Sequence, residues 1–122
     1  MAFELSEELD TGIVAEYWRI ERFEIGTEPG IEYPVAVVTF GLYVTQESRV
    51  AGKLPVRRKM ARINFVDSQE VADERNAMVA PSNSETVWYV DRATFDFNGN
   101  IREQLYTILK QSQDWKTAID VM

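Results

Sequence analysis

Apolar residues follow a two-residue period most clearly between Val35 and Val44. Ala36, Val38, Phe40, Leu42 and Val44 fall on one side of an extended chain, and Val35, Val37, Thr39, Gly41 and Tyr43 on the other. Both sides are largely apolar, which predicts a strand in the middle of a sheet. The segment Ile13 to Ile25 is also rich in β-branched and aromatic residues, but its apolar parity changes from Val14, Trp18 and Ile20 to Phe23 and Ile25. A change of parity inside one strand places a bulge or bend near Glu21 and Arg22. Pro29-Gly30 then predicts the turn that joins these two strands as a hairpin.

Val56 to Val66 predicts the next strand, with Arg57, Lys59, Ala61, Ile63 and Phe65 on one face and Val56, Arg58, Met60, Arg62 and Asn64 on the other. Val87 to Phe97 predicts a further one, with Val87, Tyr89, Ala93, Phe95 and Phe97 inward and Trp88, Arg92, Thr94 and Asp96 outward. Asp91 falls on the apolar side there and needs a partner. Gln46 to Pro55 is polar, contains Gly52, and reads as a long loop and candidate contact surface. Asp67-Ser-Gln-Glu70 has capping-box spacing for one or two helical turns inside a long loop excursion over 67–86.

The most secure helix is near the end of the chain. Ile101, Leu105, Ile108 and Leu109 form an i, i+4, i+7, i+8 stripe, preceded by an Asn98-Gly99 turn and by Asn100 and Glu103 at capping-box spacing. Residues 1–10 carry Glu4, Glu7, Glu8 and Asp10 and read as a loose acidic N-terminal arm or short edge element. Trp115, Ala118, Ile119, Val121 and Met122 are apolar enough to dock as a short second helix or to bind another subunit. The expected fold is α+β, one domain over 1–122. It is a mainly antiparallel sheet of four to five hairpin-connected strands with a C-terminal α-helix packed on it.

Composition agrees with one core and narrows the chemistry. The 122 residues are 45% hydrophobic and 27% charged, as in ordinary folded domains. Acidic residues number 20 against 13 basic ones, and with no histidine the net charge of −7 hardly changes near neutral pH. Such a field repels polyanions, so no nucleic-acid partner is expected. The absence of cysteine and histidine removes thiol nucleophiles, disulfides and most zinc sites. The acidic start has no signal-peptide pattern, and the apolar run from Tyr33 to Val44 is too short to cross a bilayer as a helix. No membrane partner is expected.

Candidate chemistry is sparse. Arg57, Arg58, Lys59 and Arg62 form a basic cluster that suits either a charged edge strand or an acidic protein partner. Asp96, Asn98 and Asn100 match three ligand positions of a calcium loop, but Ile101 stands where that loop needs glycine and Thr107 where it needs glutamate. Asp91 and Asp96 point to opposite faces of their predicted strand, which argues against a carboxylate pair for hydrolysis. Gly52-Lys53 lacks the rest of a phosphate loop. The expectation is therefore a non-enzymatic protein with no catalytic residue, metal site or cofactor, and a possible interface at Arg57, Arg58, Lys59, Arg62, Trp115 and Ile119.

Three stretches carry a resemblance. They are Ala15-Glu-Tyr17-Trp18-Arg-Ile20; Phe40-Gly-Leu-Tyr43 running into Glu47, Arg49, Lys53, Leu54 and Pro55; and Ile101, Glu103, Leu105-Tyr106, Leu109-Lys110, Trp115 and Ala118-Ile-Asp-Val121. In these the chain resembles the short virion and tail-region structural proteins of tailed bacteriophages. The resemblance covers about half the chain. It implies a structural component of the virion, in the tail, baseplate or fibre-attachment region, made in the host cytoplasm and contacting other virion proteins and copies of itself. It implies no catalytic or ligand residue. The alternative, drawn from the tryptophans and the two-faced apolar strand, is a small-ligand or peptide-binding β module.

Overall fold

The computed structural model describes residues 2–27, 34–79, 85–112 and 115–121. They form strands β1 (Ala2–Glu8), β2 (Val14–Gly26), β3 (Val35–Tyr43), β4 (Arg57–Val66), β5 (Glu85–Asp91) and β6 (Ile119–Val121). The helices are α1 (Gln46–Val50), α2 (Gln69–Asn76) and α3 (Ile101–Leu109), with a 3₁₀ turn at Arg92–Thr94. The chain is α+β, and the strands lie in one mixed sheet in the order β5-β4-β3-β2-β1-β6. The apolar alternation of β3 puts it between β2 and β4, and seven of its nine residues are buried.

The expected parity change in β2 is a bulge. Ile20 pairs with Phe40 and Arg22 with Thr39, which leaves Glu21 as the extra residue. The bulge lets Trp18 and Ile20 before it, and Phe23 and Ile25 after it, all lie against the core. Glu21 turns to the opposite face.

Helix α3 closes that core. Asn100 caps it by accepting from the Glu103 N–H at 3.1 Å, and Leu105, Tyr106 and Leu109 are buried against the sheet. Trp115 follows, stacked on Phe40 at 4.8 Å and on Phe3 at 5.2 Å, with Trp18 edge-on at 5.1 Å. Its indole N–H is buried without a hydrogen-bond partner among the described residues. The pairing of β1 with β2 ends at Phe3 and Trp18, so nothing in β1 meets the backbone of Ile20. Helix α3 meets it instead: the Tyr106 hydroxyl accepts from the Ile20 N–H at 2.7 Å, and the Arg102 guanidinium donates to the Ile20 carbonyl.

Several expectations are corrected. Six strands form, and β4 and β5 run parallel through α2, not as a hairpin. A parallel pair needs a crossover of this length, and the excursion over 67–86 supplies it, with Ser68 as the actual helix cap, accepting from Val71 N–H at 3.2 Å. The remainder of that excursion, 80–84, lies outside the described residues, as does the Pro29-Gly30 turn. The N-terminal residues are no loose arm: β1 is flanked by β2 and β6, and Ala2 and Phe3 are buried. The C-terminal apolar residues form β6, not a second helix, because that edge of β1 is free to be paired. In β5 the inward set is the reverse of the expected one. Thr86, Trp88 and Val90 stand beside the core residues Ala61, Ile63 and Phe65, and the strand ends at Asp91, whose carboxylate caps the 3₁₀ turn through Ala93 N–H at 3.0 Å.

Replacing Tyr106 by Phe leaves the buried Ile20 N–H without an acceptor, and the expected loss of stability is about 1–3 kcal/mol in denaturant unfolding. Burial raises the Tyr106 hydroxyl above its usual value of 10.0, outweighing the opposing effect of the Ile20 hydrogen bond. The fold therefore favours the neutral phenol, and this stabilisation is complete below about pH 10 and lost as pH rises through the folded-state value. Unfolding measured from pH 8 to 12 should show an alkaline loss of stability that is smaller in Tyr106→Phe.

Candidate functional site

A cleft of about 580 Å³ is lined by residues of α2, β5, α3 and the turn before α3. Trp88, Val90 and Ile108 give it an apolar lining, and each is half-buried. Two side-chain amides hold its walls. Asn76 of α2 accepts from the Tyr89 N–H and donates to the Tyr89 carbonyl, both at 2.8 Å, so it occupies the place of a neighbouring strand on β5. Gln104 of α3 does the same to Asp96, accepting from its N–H and donating to its carbonyl at 2.8 Å. Phe95 and Phe97 pack with Phe65 at 5.0 and 5.4 Å, which fixes the turn that carries Asp96.

The ionisable side chains that line the cleft are Asp73, Asp96, Glu103 and Tyr89, with no lysine or arginine among them. Asp73 accepts from Gln69 at 2.8 Å and Asp96 from the Asn98 N–H at 2.9 Å. The Glu103 carboxylate makes no hydrogen bond or ion pair among the described residues. Asp96, Asn98 and Asn100, the residues that suggested a calcium loop, act here as a turn and a helix cap. The described residues contain no cluster of three or more metal-ligating side chains.

A second constellation sits on the sheet face away from α3. The Glu21 carboxylate, turned outward by the bulge, accepts from the Tyr43 hydroxyl at 2.9 Å and from Arg58 Nε at 3.0 Å. It lies directly over Gly41, where a Cβ would stand 2.5 Å from Oε1. Desolvation and the hydrogen bond to Glu21 raise the Tyr43 hydroxyl above its usual value, in that order. This is a local ion pair on a half-open face, and such pairs contribute about 0–1 kcal/mol.

The four basic residues of β4 are not one patch. Strand alternation sends Arg57 and Lys59 to the α3 side, where Arg57 pairs with Glu7 and Lys59 lies 5.5 Å from the Trp115 ring centre. Arg58 and Arg62 face the other way, toward Glu21 and, at 3.5 Å, the Asn64 amide oxygen. The charged-edge reading of this segment is corrected as well, because β4 is an interior strand. Trp115 is 1% exposed and belongs to the core, while Ile119 is 63% exposed on β6. The cleft does not show in the sequence, because simple alternation over 87–97 places Trp88 on the outward face. The only sequence signal for it was three carboxylates and five amides dispersed over two helices and a turn.

The chain matches no protein-family model, no curated protein and no solved structure in the comparisons made. Among the described residues no helix is long and apolar enough to cross a membrane.

Gly41→Ala should displace the Glu21 carboxylate and lower stability by about 1 kcal/mol in urea unfolding. In a Glu21→Ala background the same substitution should cost nothing, since the obstructing group is gone. A double-mutant cycle measures that coupling.

Proposed function

We propose that the chain is a non-catalytic structural component of a tailed-phage particle, in the tail, baseplate or fibre-attachment region, working by protein–protein contact with virion proteins and copies of itself. The observation that carries the contact reading is an open sheet edge on β2. Pro34 and Leu42 carbonyls accept from Phe65 and Val56 N–H groups, so the even-numbered residues of β3 turn their backbone toward β4 and the odd-numbered ones toward β2. Arg22, Glu24 and Gly26, paired with Thr39, Val37 and Val35, therefore bond to β3. The N–H and C=O groups of Phe23 and Ile25 face away from the sheet, where no strand pairs with them among the described residues.

An unpaired ladder of this kind is completed by strand addition from another chain. No lysine or proline guards it between Arg22 and Gly26. The 46–56 connection adds exposed apolar contact surface at Val50 (73%) and Leu54 (83%). The phage setting is supported by the sequence resemblance. A second reading, a small-ligand or peptide-binding module, is favoured by the Trp88 cleft.

Ile25→Pro removes an outward N–H and keeps the β2–β3 hydrogen bonds, a position where a strand tolerates proline. The expected result is a folded protein by circular dichroism, a shift to monomer in light scattering, and exclusion from purified phage particles that contain the wild-type chain. A wild-type chain that is monomeric at every concentration and missing from such particles would sink the reading.

A further inference from the structure

We infer that the Trp88 cleft is a binding site for a basic side chain, arginine above all, on a peptide segment of a partner protein. The inference rests on the contact-module reading and names the chemistry of one partner. A volume of about 580 Å³ is in the range of sites that enclose a ligand group. It is far more than one ordered water needs.

Charge decides the class of occupant. Asp73, Asp96 and Glu103 line the cleft from α2, from the turn before α3 and from α3 itself, and no lysine or arginine is among its described lining residues. The chain as a whole carries −7, so the field at the mouth attracts cations and repels phosphate and carboxylate groups. Asp73 and Asp96 each already hold one hydrogen bond from within the protein, while Glu103 has its carboxylate uncommitted among the described residues.

The floor narrows the class to a flat cation. Trp18 and Trp115 are 2% and 1% exposed, yet Trp88 is half-buried and lines the cleft. An indole that lines the same cleft as the uncommitted Glu103 carboxylate suits a guanidinium, which stacks on the ring while its edge donates to a carboxylate. The walls are already set for this. The Asn76 and Gln104 amide clamps hold α2 to β5 and Asp96 to α3, so little ordering remains to oppose binding.

The test is calorimetric titration of the whole chain with a capped tri-arginine peptide, against capped tri-glutamate and spermidine, at low and physiological salt. Saturable binding of tri-arginine that weakens with salt is expected, with no binding of tri-glutamate. Glu103→Gln should weaken it about three- to tenfold, and Trp88→Leu at least as much, both with unchanged circular dichroism. A Glu21→Gln control on the opposite face should bind as wild type does. No saturable binding of tri-arginine overturns the inference. So does unchanged affinity in both cleft variants, or binding of spermidine without binding of the peptide, which would assign the cleft to small amines. These outcomes concern the cleft alone. Light scattering and particle composition with Ile25→Pro decide the contact reading independently.

Discussion

The rest of the fold hangs on one inserted residue. Glu21 in the middle of β2 interrupts strict alternation, and without it the inward sets Trp18 and Ile20, and Phe23 and Ile25, would lie on opposite faces. Just before the bulge, Ile20 pairs with Phe40, whose backbone turns toward β4, so the Ile20 N–H and C=O face away from β3 where β1 has already ended, and among the described residues they find partners in Tyr106 and Arg102. Arg102 and Tyr106 thus add two polar bonds between α3 and the sheet to the apolar packing of Leu105 and Leu109. Trp115 and β6 are placed after α3 in turn.

Gly41 belongs to the same constraint. A bulged residue must send its side chain somewhere, and Glu21 crosses the neighbouring strand at the one position of β3 that has no Cβ. Tyr43 and Arg58 then anchor the carboxylate. What reads along the chain as a glycine weakening a good strand is the clearance for a side chain from the strand beside it.

Much of this was legible in the residues. Alternation in Val35 to Tyr43 marked the central strand, the parity change in β2 marked the bulge, and the Ile101 stripe with its Asn100 cap marked α3. What failed to show was anything set by distant neighbours. The parallel pairing of β5 depends on α2 carrying the chain back across, and Trp88 and Tyr89 exchange faces relative to a simple alternation because Asp91 begins a turn. The first residues look like a charged tail because Glu4, Glu7 and Glu8 dominate them, while Ala2 and Phe3 hold the strand in place. The carboxylates and amides of the cleft come from two helices and a turn, and none of them is distinctive alone.

The Asn76 clamp on Tyr89 gives the sheet a direction. With the β5 flank interrupted at Tyr89 by a side-chain amide, and the β6 flank only three residues long, the described sheet offers extended backbone for pairing at the notch beside β2. Under the contact reading proposed above, two copies that meet through that notch use up each other's free edge, and association through strands is self-limiting: it closes at a pair related by a twofold axis and does not run on into a fibre, however high the local concentration of the chain becomes.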